Sequence, residues 1–482
     1  MDDSTYPGPL GRANSIIADG ADSLHSPAQA GPAHTGYAGR AVAEELLGKV
    51  FQRLNMGIAV RLWSGPAFRV GGAMPREAHA GDRTEPPFAL WFRTPSAVVS
   101  LVLGRDPLRL AEAYFRGDVD IEGDLFAALA LKDHLQEIKL TLGERWTAFL
   151  MALKLRSLNR DAELPPPSRP KHESERSHAY GRAVRAHSRD ANREAIRFHY
   201  DVSNEFYKLW LDRAMVYSCG YFARPDVDID AAQQAKLEHI CRKLLLKPGE
   251  RLLDIGCGWG ALAIHAARHH GVRAHGITLS SNQLQFARAR IAAAGLCDRV
   301  TVELRDYREL GGETPYDKVA SVGMFEHVGL ENLPLYFDTV RRVLAPGGLF
   351  LNHGITHEHS GWNRNLSTEF INRYVFPDAE LDAIGNIQRC MEDAHFEIAD
   401  VEGLRPHYAL TLRAWVARLE QRHARALEYV SEATFRVWRL YMSASALEFE
   451  SGNLGIYQIL ARKRGAESRS ALPLTRRHLY VD

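Results

Sequence analysis

The chain has 482 residues, with 60 Lys+Arg against 59 Asp+Glu, 45% hydrophobic and 25% charged. That length accommodates two or three domains with a sizeable apolar core, and it excludes a highly charged, disordered chain. The longest apolar stretches, such as residues 97–103 interrupted by Ser100, fall far short of the roughly 18 residues that cross a bilayer. Five cysteines (Cys219, Cys241, Cys257, Cys297, Cys390) form an odd set with no Cys-x-x-Cys pair, so neither a disulfide framework nor a cysteine-rich zinc site is expected and no metal is assigned.

In chain order, the first residues lack the basic start and apolar run of a secretory signal, which predicts a chain retained in the cytoplasm. Residues 1–36 are rich in Gly, Ala, Ser, Pro and Asp without apolar period and read as a disordered leader. A first domain, 37–155, is expected to be small and mixed α/β. Val42, Leu46, Leu47, Val50 and Leu54 recur at helical spacing, residues 98–103 read as a strand, and residues 111–126 read as helix, glycine stop, strand and a second helix from near Asp124. Residues 156–195 form a basic linker. From Lys154 to Arg197 there are eleven Lys/Arg against six Asp/Glu, with a Pro-rich start at 164–170 that cannot continue a helix. It reads as a solvated tether or as a patch drawn to anionic lipid head groups. No basic-aromatic interleaving points to nucleic acid.

Residues 196–464 change to alternating strands and helices: strands at 251–255, 272–277, 300–304, 318–322 and 348–352, and helices at 261–270, 281–294 and 333–344. Such alternation specifies a parallel sheet covered on both faces, with its ligand over the strands' carboxyl ends. Residues 465–482 remain as a tail. The sharpest signal is Leu252-Leu-Asp-Ile-Gly-Cys-Gly-Trp-Gly260, a strand running into three glycines and a helix, where glycine lets the backbone turn tightly and approach a nucleoside. A Gly-Lys-Ser/Thr ending is absent, and Gly256, Gly258 and Gly260 run G-x-G-x-G rather than as the dinucleotide fingerprint. The pattern resembles class I S-adenosylmethionine-dependent methyltransferases, a Rossmann-like α/β fold. The acid common after their second strand is replaced here by Gly276-Ile-Thr-Leu-Ser280, which leaves Thr278, Leu279 and Gln283 to supply neutral contacts. Downstream, Asp306 offers a carboxylate for an adenine amino group and Tyr307 a ring to stack on it.

Further motifs lie on either side: Phe198-His-Tyr-Asp201, Met215-Val-Tyr-Ser-Cys-Gly-Tyr-Phe222, Gln233-Gln-Ala-Lys236, Met324-Phe-Glu-His-Val-Gly329, Phe350-Leu-Asn-His353 and Tyr374-Val-Phe-Pro377. In this order they resemble the cyclopropane-fatty-acyl-phospholipid synthase family, which includes the mycolic acid cyclopropane synthases, from about residue 197 to 462. The resemblance implies methylene transfer from S-adenosylmethionine to a cis double bond of an unsaturated phospholipid acyl chain, at the inner face of a membrane. It also implies a bound bicarbonate as base, held by Cys219, Glu326, His353, the Ile355 backbone and Tyr408, with Tyr217, Ser218, Asp254, Gly256 and Gly258 among the cofactor contacts. A homodimer is left open, and fatty-acyl C-methylation to a methylene- or methyl-branched chain is the alternative outcome.

The physical demands of such a reaction stand apart from the resemblance. An alkene is a poor, uncharged nucleophile, so it must be aligned with the methyl group in a water-excluded pocket. The positive charge then created calls for aromatic faces rather than nucleophiles. Trp259, Tyr374, Phe376 and Trp415 are candidates for that lining or for the core, and Cys257 reads as packing. Residues 357–364 lack an expected lysine-rich pattern, and Ser445 stands where the family often has a second Cys.

Overall fold

The computed structural model describes residues 38–52, 54, 57–72, 87–103, 107–137, 141–159, 202–311, 314–359, 380–464 and 472–480. Two sheets organise them. The first has four strands in the order β2-β1-β3-β4, formed by Gly57–Arg61 (β1), Phe68–Gly71 (β2), Phe88–Phe92 (β3) and Val119–Gly123 (β4). β1 runs antiparallel to β2 and parallel to β3, and β4 is antiparallel to β3. Helices Arg40–Phe51 (α1), Pro95–Leu103 (α2), Pro107–Arg116 (α3), Leu125–Glu137 (α4) and Leu142–Leu158 (α5) accompany this sheet. Leu46, Phe51, Ile58, Val60, Phe92, Val98 and Leu155 close one core among them.

Residues 98–103 are therefore helical, not the strand their β-branched content predicts. Thr94 Oγ1 accepts the Ala97 N–H at 3.3 Å and Pro95 opens the helix, so capping and the burial of Ala97 and Val98 override local propensity. The helix–glycine–strand–helix stretch appears as read, with Gly117 at φ +80° ending α3. α5 continues to Leu158, past the expected domain end at 155, and the Pro-rich part of the basic linker lies outside the described residues.

The second sheet has seven strands in the order β10-β11-β9-β8-β5-β6-β7. Arg251–Ile255 (β5), Arg273–Thr278 (β6), Val300–Leu304 (β7), Tyr316–Val322 (β8) and Leu344–His357 (β9) are mutually parallel. Leu454–Lys463 (β11) runs antiparallel between β9 and Phe396–Gly403 (β10). This is the Rossmann-like α/β arrangement expected for a class I methyltransferase. Helices Asn204–Trp210 (α6), Ile229–Lys243 (α7), Ala261–His270 (α8), Ser281–Ala293 (α9), Leu333–Val343 (α10), Ile384–Asp393 (α11), Arg405–Gln421 (α12), His423–Ala426 (α13), Glu432–Ser451 (α14) and Arg477–Tyr480 (α15) complete the described chain. Residues of α7 and α8 share a core with Leu252, Leu349, Leu351 and Leu460, while α10 and α11 pack with Leu253, Val319, Phe350 and Ile459. Alternate residues of one strand thus face opposite layers.

α14 joins the two sheets' domains. Arg436 donates to the Tyr114 carbonyl at 2.9 Å and pairs with Asp120 at 3.2 Å, Arg439 reaches the Tyr114 hydroxyl at 3.0 Å, and Leu440 packs with Tyr114 and Phe115.

Candidate active site

A cleft opens over the carboxyl ends of β5, β6 and β8, the position where parallel α/β sheets place ligands. Of the ten residues expected to contact the cofactor, Tyr217, Ser218, Asp254, Gly256, Gly258, Thr278, Leu279, Gln283 and Tyr307 line it. Gly256 and Gly258 take φ of +79° and +53°. A Cβ on Gly256 would stand 3.1 Å from Met324 Cγ, whereas one on Gly258 would project into open space. That space is available to a ligand only because the side chain is missing.

Asp254, at the end of β5, is 2% exposed, and its Oδ2 has no hydrogen-bond partner. Burial pushes its carboxyl up to about 7 against the opposing pull of Lys236. Lys236 is itself buried and lowered to about 8 by desolvation; its Nζ donates to Ser218 Oγ at 2.8 Å. Gln233 Nε2 donates to the Ser218 carbonyl at 2.8 Å from the same face of α7. Thr278 Oγ1 donates to Gln283 Oε1 at 2.8 Å, so these two neutral groups brace each other on the cleft wall. Asp306 is not in the lining. Its carboxylate caps the following turn and takes Arg308 at 2.9 and 2.6 Å, while Arg305 and Tyr307 on either side face the cleft.

The second group of expected residues is divided between the end of β9, which holds His353, Ile355 and the Glu326 contact, and an apolar cluster that holds Cys219 and Tyr408. β8 ends beside His353, whose carbonyl accepts the Gly323 N–H at 2.8 Å; two residues on, the Ile355 N–H points to the same edge and donates to Glu326 Oε1 at 2.8 Å. Glu326 is 5% exposed, its Oε2 lacks a partner, and burial raises its carboxyl to about 7. His353 is 0% exposed with neither ring nitrogen hydrogen-bonded, and burial holds its pKa well below the ordinary value. Directly across the ladder lies Gln458, equally buried, with both amide atoms also unpartnered. Cys219 and Tyr408 share one apolar cluster, against which Ile355 packs. The Cys219 thiol donates to the Gly220 and Leu404 carbonyls at 3.2 and 3.8 Å, and burial pushes its pKa up. The cluster is strongly aromatic: Trp415 lies 5.4 Å from Trp210 and 5.3 Å from Tyr217, and Trp259 lies 5.1 Å from Tyr207. Trp259 also lines the cleft, whereas Trp415 is fully buried in the core. The motifs 198–201 and 374–377 fall outside the described residues, as does 360–364.

Sequence reading assigned no role to Lys236, Met324 and His327, which also line the cleft. The signal for Lys236 was present in the Gln-x-x-Lys spacing, which places both side chains on one helical face. His327, within the Glu-His-Val-Gly motif, is lowered to about 4 by burial.

The mycolic acid cyclopropane synthetase family matches residues 187–459. A probable fatty acid methyltransferase of Pseudomonas putida is 39% identical over 431 residues, covering 89% of this chain and 98% of the relative. The cyclopropane-fatty-acyl-phospholipid synthase of Escherichia coli strain K12 is 38% identical over 270 residues, 56% of this chain and 68% of its own. Among solved structures, a mycolic acid cyclopropane synthase complexed with SAH and CTAB superposes with a TM-score of 0.53 at 32% identity, covering 56% of this chain and 98% of that one.

Proposed function

We propose, from the premise that this chain belongs to the mycolic acid cyclopropane synthetase family of S-adenosylmethionine-dependent methyltransferases, that it methylates a cis double bond in a phospholipid acyl chain and closes a cyclopropane ring. The observation that carries this reading is Glu326, tied through Oε1 to the Ile355 N–H at the end of β9 and left with one buried, unpartnered oxygen, on the strand that also bears the buried, unpartnered His353. Buried polar groups normally find partners, and donors and acceptors of this kind suit a small polar ligand beside the reacting carbon.

The residues fit S-adenosylmethionine. The unpartnered oxygen of Asp254 suits the ammonium of its amino-acid end, and the glycine loop leaves room for the nucleoside. When bound, it supplies an electrophilic methyl group. Tyr217, Trp259 and their aromatic neighbours exclude water and turn ring faces toward positive charge developing on the acyl chain. Cys219, Glu326, His353, Tyr408 and the Ile355 backbone would hold bicarbonate, which supplies a base for the final proton. Glu326, raised to about 7, takes or gives a proton at Oε2 near neutral pH. The Ile355 N–H is already engaged by Glu326, so an anion would share that donor.

The substrate places the enzyme at a membrane surface from the cytoplasmic side, as a peripheral protein; no helix among the described residues is long and apolar enough to cross a membrane. Expression in cells rich in monounsaturated phospholipid, followed by lipid mass spectrometry and proton NMR, tests the reading. One added CH2 with upfield cyclopropyl protons supports it. A second reading, methyl- or methylene-branched product, is favoured by the extended match to a probable fatty acid methyltransferase. It predicts vinylic protons, or the added mass of a methyl group plus reduction.

A further inference from the structure

We propose that α5 carries a lipid-docking face, and that anionic bilayer surface is its partner. Leu142, Trp146, Phe149, Leu150 and Leu153 are 84, 63, 39, 48 and 39% exposed. At 3.6 residues per turn they fall within an arc of about 100° along a helix roughly 25 Å long. Trp146 and Phe149 stack on each other at 5.6 Å. The opposite side of the helix buries Ala148, Ala152 and Leu155 in the core of the first domain, so the exposed stripe is not that core's own seam. Large apolar side chains in such continuity on a surface mark an interaction site.

Charge complementarity selects the occupant. Exposed Arg145 and Arg156 border the stripe on one side and Lys154 on the other, and the helix holds one acid, Glu144, engaged in its capping box. The chain that follows is basic, with eleven Lys/Arg against six Asp/Glu from Lys154 to Arg197. An apolar face rimmed by cations lies flat in the head-group region of an anionic membrane, with Trp and Leu in the acyl boundary. The domain that bears it is clamped through Arg436 and Arg439 to α14, whose Tyr441 and Phe449 lie in the apolar cluster that also holds Cys219 and Tyr408. Docking at α5 would therefore hold the catalytic domain against the lipid.

This inference rests on the lipid reading of the active site, but its test does not depend on turnover. The full chain and its Trp146→Glu/Leu150→Glu and Lys154→Glu/Arg156→Glu variants are sedimented with phosphatidylglycerol–phosphatidylethanolamine vesicles and with phosphatidylcholine vesicles. The original chain is expected to bind the anionic vesicles at least tenfold more tightly, with a blue shift of tryptophan emission. The apolar double variant should lose at least tenfold in binding while its melting temperature and S-adenosylhomocysteine affinity stay unchanged, and the basic double variant should lose the anionic preference. Undiminished binding by the apolar variant overturns the proposal. So does a variant that changes only oligomeric state, which makes the stripe a self-association face, or only melting temperature, which makes it covered by its own chain. A protein that docks yet methylates no lipid refutes the functional reading instead.

Discussion

Glu326 reaches the Ile355 backbone by passing over Gly354, a residue with no side chain to obstruct it. A Cβ there would overlap the Phe325 ring and lie 3.0 Å from Glu326 Oε1. Glycine is required for close approach rather than for backbone angle. Gly354→Ala should displace Phe325 and the carboxylate together, costing about 1–3 kcal/mol of stability and at least tenfold in kcat. Thermal melting and steady-state kinetics on dispersed lipid check both; a variant with unchanged kcat would show that the Glu326–Ile355 contact does not position the reacting groups.

Glu326→Gln keeps the shape of the side chain and an acceptor for Ile355 but removes the proton-exchanging oxygen. Turnover is expected to fall by two or more orders of magnitude while S-adenosylmethionine affinity, measured by calorimetry, stays within a factor of about three. Near-normal activity removes Glu326 from the mechanism.

The pH response follows from two buried acids. Asp254 and Glu326 are both raised to about 7 in the folded chain, against ordinary values near 4. Between those limits the folded state holds protons that the unfolded state has lost, so stability falls as pH rises from about 4 to about 7 and then levels. A ligand ammonium beside Asp254 selects its ionised form. S-adenosylmethionine should accordingly bind more tightly at pH 8 than at pH 6, by up to about tenfold, and release a proton on binding near pH 6. Titrations in buffers of different ionisation enthalpy read this directly, and Asp254→Asn should flatten the dependence.

The second domain was legible because its glycine loop and strand–helix alternation are local patterns, and Asp254, Gly256 and Gly258 follow from them. What escaped was set by tertiary context. The β-rich residues 98–103 became helical because Thr94 and Pro95 start a helix there. β9 runs from Leu344 to His357, longer than the apolar stretch that announced it, since pairing with β11 extends it through His353 and Ile355. Arg308, which the sequence reading left without a role, forms a two-bond fork on the Asp306 carboxylate two residues before it. The Gln-x-x-Lys spacing puts Lys236 on the face of Gln233, but nothing local points to Ser218, which its ammonium meets from a distant part of the chain.

The junction between the domains offers a last test. Arg436 is 12% exposed and at once meets Tyr114, Val119, Asp120 and Glu432. Burial pushes the Asp120 carboxyl up, yet Arg436 and Arg93 together outweigh it and hold the pKa below the ordinary value. Arg436→Ala leaves Asp120 with Arg93 and the Ile121 N–H and strips the Tyr114 and Val119 carbonyls of this donor, at a cost of about 1–3 kcal/mol given the partial exposure of the group. Because the lost contacts cross between domains, the calorimetric unfolding transition should broaden or split, with the first domain melting earlier. S-adenosylmethionine affinity should be unaffected, since none of these residues lines the cleft. If α5 holds the enzyme to lipid, activity on vesicles should fall more than activity on detergent-dispersed substrate. Equal losses on both would mean that the junction supports the fold without transmitting the docking geometry.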